Sequence, residues 1–105
     1  MGESKKPKHY EVMRSMFPEY IEASEALGKA AWEAGPLDGR TILLVQLGAA
    51  AAARSEGSVR SHVRRALSEG ASPEDIRHAI VALTSTIGFP QVAAALAWAE
   101  KDLTD

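Results

Sequence analysis

The sequence predicts an all-α fold of about six helices, and three observations lead there. Apolar residues recur at intervals of three and four rather than two, helix start and stop residues sit at the ends of those stripes, and β-branched residues follow the helical interval too. The length of 105 residues suits one compact core and is too short for two independent ones. Residues 1–8 are polar and lysine-rich and are expected to be a flexible N-terminal segment, with residues 9–105 forming a single domain.

Residues 9–16 make a short first helix, and Pro18 can open a second that runs to Glu33, where Gly35-Pro36 ends it. Tyr20, Ala23, Leu27 and Ala30 or Ala31 recur at helical spacing along it. Asp38 is placed to N-cap a third helix over about 39–53. In that helix Ile42, Leu43, Leu44, Val45 and Leu47 cover nearly the whole circumference, so a central position is expected.

A break is expected near Ser55-Glu56-Gly57, followed by a helix with an apolar stripe of Val59, Val63, Ala66 and Leu67 and with Gly70 as its stop. Ser72-Pro73-Glu74-Asp75 starts the next: serine at the cap, proline at the first position, and an acid at the capping-box position, although Glu or Gln is the stronger choice there. This helix is expected to continue through Ile76, Ala79, Ile80, Leu83 and Ile87 to Gly88. A last one from about Pro90 carries Val92, Ala95, Leu96, Ala99 and Leu103.

Composition excludes several functions. The chain has no cysteine, which removes disulfides, zinc-thiolate sites and thiol peroxidase chemistry together. A net charge of -2 gives no overall attraction to nucleic acid or an anionic membrane, and neither is expected as a partner. The apolar run from Ile42 to Ala53 is interrupted by Gln46 and falls far short of a membrane span. With no apolar signal segment behind the lysine-rich start, the expected location is the cytoplasm. Three separated histidines show no metal-ligand spacing, and no glycine-rich phosphate loop is present, so no metal or other cofactor is expected.

The chemistry-bearing constellation is Ser55-x-x-Ser58-x-x-x-His62, followed by Val63-Arg64-Arg65. Ser58 and His62, four apart, can share a helix face, while Ser55 approaches from the preceding turn and Glu56 supplies a carboxylate. The cluster is expected near the positive end of a helix, where an anion or oxyanion is favoured. His62, Ser58 and Glu56 are thus the catalytic candidates, with Ser55, Arg60, Arg64 and Arg65 as substrate-binding candidates. A histidine can exchange protons near neutral pH, and arginine can hold a carboxylate. The serines fit helix caps better than nucleophiles, because a nucleophilic serine needs an activating base within hydrogen-bond reach. His62 also has a structural alternative, as a half-buried residue bonded to a backbone carbonyl.

The run Ser55-Glu56-Gly57-Ser58-Val59-Arg60-Ser61-His62-Val63-Arg64-Arg65-Ala66-Leu67-Ser68-Glu69-Gly70-Ala71-Ser72-Pro73-Glu74-Asp75-Ile76 resembles the carboxymuconolactone decarboxylase family, which includes the alkylhydroperoxidase D-like proteins. Leu37-Asp38-Gly39-Arg40-Thr41 and Ser85-Thr86-Ile87-Gly88-Phe89-Pro90 extend the likeness over residues 18–103. It implies an all-α, alkylhydroperoxidase D-like fold that self-associates into trimers, hexamers or related rings. The redox branch places two cysteines where this chain has Ser55 and Ser58, and a histidine at the position of His62. The decarboxylase branch lacks that pair and keeps the histidine. The resemblance therefore implies decarboxylase-like chemistry on a small anionic lactone or carbonyl compound, with His62 handling protons and Arg60 or Arg64 holding a carboxylate. The alternative is a noncatalytic oligomeric binding or structural protein that keeps the scaffold.

Overall fold

The computed structural model describes residues 8–103, in which seven helices and no strand occur. They are α1 (Lys8–Met16), α2 (Pro18–Trp32), α3 (Gly39–Ala52), α4 (Glu56–Ser68), α5 (Pro73–Val81), α6 (Thr84–Ile87) and α7 (Phe89–Leu103). The all-α class holds. The segment expected to be flexible lies outside the described residues except for Lys8, which belongs to α1. The described residues fall into two compact units, one of residues 8–37 and one of residues 38–103.

In the first unit α1 and α2 form a helical hairpin. Pro18 opens α2 because a helix start leaves its first N–H unpaired anyway, so a residue without one loses nothing. Tyr10 and Arg14 of α1 both bond the Glu25 carboxylate of α2, and the Arg14 guanidinium lies 5.4 Å from the Tyr10 ring centroid. Ile21 is buried, whereas Tyr20 and Leu27 of the expected stripe are exposed. A two-helix hairpin covers only the side of α2 that faces α1, and Tyr20 and Leu27 lie off that side.

The second unit is built around α4. It packs on α3, α7 and α5, while α7 also meets α5, α6 and α3, and α3 meets α5. Val59, Val63 and Ala66 of α4 join Leu43 and Leu47 of α3, Ile76 and Ile80 of α5, and Val92, Ala95 and Ala99 of α7 in a core whose members are at most 2% exposed. Alanine and valine at the crossings let the helix axes come close, so few aromatic residues are needed.

Local capping explains the boundaries. The Asp38 carboxylate accepts the Thr41 N–H at 2.8 Å. Ser72 and Asp75 complete a reciprocal box, each side chain accepting the other's backbone N–H at 3.0 Å, so aspartate suffices where Glu or Gln is the commoner choice. At the end of α4, Gly70 takes φ 97°, and the Gly70 and Ala71 N–H groups return to the carbonyls of Leu67 and Ala66.

Three expectations are corrected. The turn between α3 and α4 falls at Ala53–Arg54 rather than at Ser55-Glu56-Gly57, and Gly57 is helical. Arg54 takes the left-handed conformation (φ 58°), and the Arg54 and Ser55 N–H groups bond the carbonyls of Ala51 and Ala50. A glycine would reach that conformation without the Cβ penalty, so sequence alone points to Gly57. The long helix expected from Pro73 to Gly88 is instead two, α5 and α6, with a break at Ala82–Leu83. Thr84 Oγ1 donates to the Val81 carbonyl at 2.7 Å, offering the chain a turn in place of the helical ladder. Finally, α3 is covered on one side only: Leu47 is 0% exposed but Val45 is 61% exposed.

Candidate functional site

Helix α4 presents three side-chain rows, set by its 3.6-residue turn. The first is the buried Val59, Val63 and Ala66. The second, Glu56, Arg60 and Arg64, faces α7 and is neutralised there: Glu56 pairs with Lys101 at 2.7 Å, and Arg60 and Arg64 converge on Asp102. Arg60 Nε reaches Asp102 Oδ2 at 2.8 Å and Arg64 Nη1 reaches Oδ1 at 3.3 Å, with the Asp102 side chain only 11% exposed. Hydrogen bonding from Arg60 outweighs partial burial and, with Arg64, holds the Asp102 carboxyl below the usual carboxylate range.

The third row is Ser58, His62 and Arg65, all half-buried. His62 Nδ1 lies 2.7 Å from the Ser58 carbonyl oxygen. Because a carbonyl can only accept, Nδ1 carries the proton and donates it, which leaves Nε2 with the lone pair in the neutral ring. Nε2 makes no hydrogen bond within the described residues. Ser58 Oγ stands 3.3 Å from the same Nδ1. A nitrogen that is donating cannot take the serine's proton, so the contact does not activate Ser58 as a nucleophile.

Ser55 is the N-cap of α4, its Oγ accepting the Ser58 N–H at 3.3 Å. His62 lies nearly two turns further in, beyond the first turn where the helix-end field is strong, so the expected placement at the positive end applies to Ser55 and not to His62. Glu56 is likewise turned away, bonded to Lys101 rather than to His62. Gln46 Oε1 is buried without a hydrogen-bond partner among the described residues. The structure thus joins Ser58, His62 and Arg65 in one row and diverts Glu56, Arg60 and Arg64 to α7.

Two contributors escape sequence reasoning. Asp102, which quenches two of the arginines, is separated from Arg60 by 42 residues, and no local signal announces the pairing. Gln91 Nε2 donates to the Ala51 and Ala52 carbonyls at 3.2 and 2.8 Å, anchoring the start of α7 on the last turn of α3 and satisfying carbonyls a helix end leaves open. His78 is exposed, as its position opposite Ile76 and Ile80 implies. No group of three or more potential metal ligands occurs among the described residues, and none of their helices is long and apolar enough to cross a membrane.

Burial pushes the His62 pKa below its ordinary 6.5; the Ser58 carbonyl pulls the other way and the Arg65 charge adds to the fall. The unfolded chain therefore takes up this proton at a higher pH than the folded one. Stability from this group is complete above pH 6.5 and is lost as pH falls through the depressed folded value. The expected result is a urea midpoint that declines from pH 6.5 toward about pH 5 in the wild type and declines less in His62→Asn. Asp38, Asp75 and Asp102, with ordinary values of 3.8, do not yet titrate there.

Fold and site together define an all-α protein with a solitary, tautomerically fixed histidine on a central helix. Residues 18–101 match the carboxymuconolactone decarboxylase family, and the chain belongs to that family. No curated protein matches it.

Proposed function

We propose that the protein carries out cofactor-independent proton transfer or decarboxylation on a small anionic lactone or carbonyl compound, with His62 as the base. The observation that carries this reading is the fixed tautomer: the Ser58 carbonyl holds the Nδ1 proton, leaving Nε2 as an acceptor that no described residue uses, on a ring that burial keeps neutral near pH 7. Family membership supports a decarboxylase-like protein, and with no cysteine in the chain a thiol peroxidase cycle has no sulfur to run on.

The test is solvent hydrogen exchange. Purified protein in D2O is expected to accelerate deuterium uptake at the carbon beside the ketone of levulinate, a small keto carboxylate, and His62→Asn is expected to cut the acceleration by about two orders of magnitude or more. Equal exchange by both proteins would remove His62 from the chemistry.

The same Ser58 contact favours a second reading, a noncatalytic oligomeric scaffold in which His62 is a packing residue satisfied by backbone. An Nε2 that bonds nothing among the described residues supports the first reading, because it leaves an acceptor available to a ligand. Self-association into a trimer or hexamer in the cytoplasm belongs to both readings. Exposed Val45 and Phe89 on the unit of residues 38–103 support it, being 61% and 70% exposed. Light scattering at micromolar concentration is expected to give several times the 11.2 kDa chain mass; a monomer would refute it.

A further inference from the structure

We propose that Arg65 is the carboxylate anchor of the His62 site and that the ligand it holds is a short keto monocarboxylate. The inference rests on the proton-transfer reading of His62 and narrows its substrate class.

Three arginines lie within reach of the polar rows of α4, but Arg60 and Arg64 share Asp102. An anion drawn to them would have to displace a carboxylate that is 11% exposed and already held by both. Arg65 has no ion-pair partner among the described residues, and it is half-buried one turn beyond His62. Residues three apart on a helix stand about 5–6 Å apart at their Cβ atoms. The guanidinium of Arg65 and the open Nε2 of His62 can therefore serve one small molecule, the first taking a carboxylate through paired N–H donors and the second facing a carbon nearby.

A single uncommitted cation matches a single negative charge. A second carboxylate would find no further cation on this row of α4. The reacting carbon must lie within roughly one helical turn, about 5 Å, of the carboxylate. In a short keto acid such as levulinate, the carbon next to the ketone on its carboxylate side carries an acidic hydrogen. Nε2 takes that proton, the C–H electron pair becomes the enolate π bond, and the carbonyl oxygen receives the charge. Return of the proton to the same carbon, or to the oxygen, restores neutral His62 with no oxidant or reductant.

The anchor also selects between reactions. Loss of CO2 removes charge from the departing carboxylate, so a cation fixed on that group stabilises the ground state more than the transition state. The carboxylate on Arg65 is therefore the one the ligand keeps.

The test follows the His62 ring resonances of the full chain by NMR as levulinate is added, with exposed His9 and His78 as internal controls. The wild type and an Arg40→Gln control are expected to show saturable shifts at His62 alone. Arg65→Gln is expected to weaken binding about tenfold or more, and Arg65→Lys to recover part of the loss. Unchanged affinity in Arg65→Gln, or His62 resonances that levulinate does not move in the wild type, would overturn the anchor. Arg65-dependent binding without any catalysed exchange would uphold the anchor and sink the proton-transfer reading, so the two ideas fail separately.

Discussion

His62→Asn is expected to lower turnover by about two to four orders of magnitude, the range over which a positioned acid–base group contributes. Asparagine suits the test because its amide N–H stands near the position of Nδ1 and can still donate to the Ser58 carbonyl, whereas nothing in it replaces Nε2. The backbone contact that orients the ring is thus kept while the proton acceptor is deleted. A loss in kcat with an unchanged affinity for levulinate places His62 in the proton transfer itself. A loss confined to KM would make it a binding group, and no loss would leave the scaffold reading in possession. Circular dichroism of the variant checks that α4 is intact.

Leu47→Ala is expected to destabilise the protein by about 2–5 kcal/mol, a large part of the roughly 5–15 kcal/mol that a domain of this size has in total. Leu47 is 0% exposed on the side of α3 that α4, α5 and α7 cover. Its truncation removes apolar contact and leaves a cavity, which neighbouring alanines cannot fill because they have no longer rotamer to offer. Val45, two positions earlier on the same helix, is the internal comparison, because at 61% exposed it has little to lose within the chain. Urea denaturation is expected to show a much lower midpoint for Leu47→Ala and a shift of under about 1 kcal/mol for Val45→Ala. Equal effects at low protein concentration would refute the one-sided burial of α3. A Val45→Ala penalty that grows with protein concentration would instead mark its face as a subunit contact.

Much of the fold was legible because its signals are short. Pro18 marks a helix start by its missing N–H, Asp38, Gly70 and Ser72 mark boundaries through bonds that span three to five residues, and the Val59, Val63 and Ala66 row follows from helical spacing. The orientation of His62 belongs to the same local class, since its partner Ser58 lies one turn away. What failed locally was the choice between near-equal options. Arg54 rather than Gly57 took the left-handed turn, and a threonine hydroxyl divided α5 from α6 where the apolar rhythm ran on.

The sequence by itself therefore determined the helical class, the core row of α4, the serine–histidine pair and the absence of any thiol chemistry. Only the tertiary structure decided which charges remain usable. Asp102 and Lys101 reach α4 from about 40 positions away; the Asp102 carboxylate claims Arg60 and Arg64, and the Lys101 ammonium claims Glu56, before a ligand arrives. Backbone capping is written in neighbouring residues, whereas the pairing of charges depends on which helix faces meet, and that geometry exists only once the core has closed.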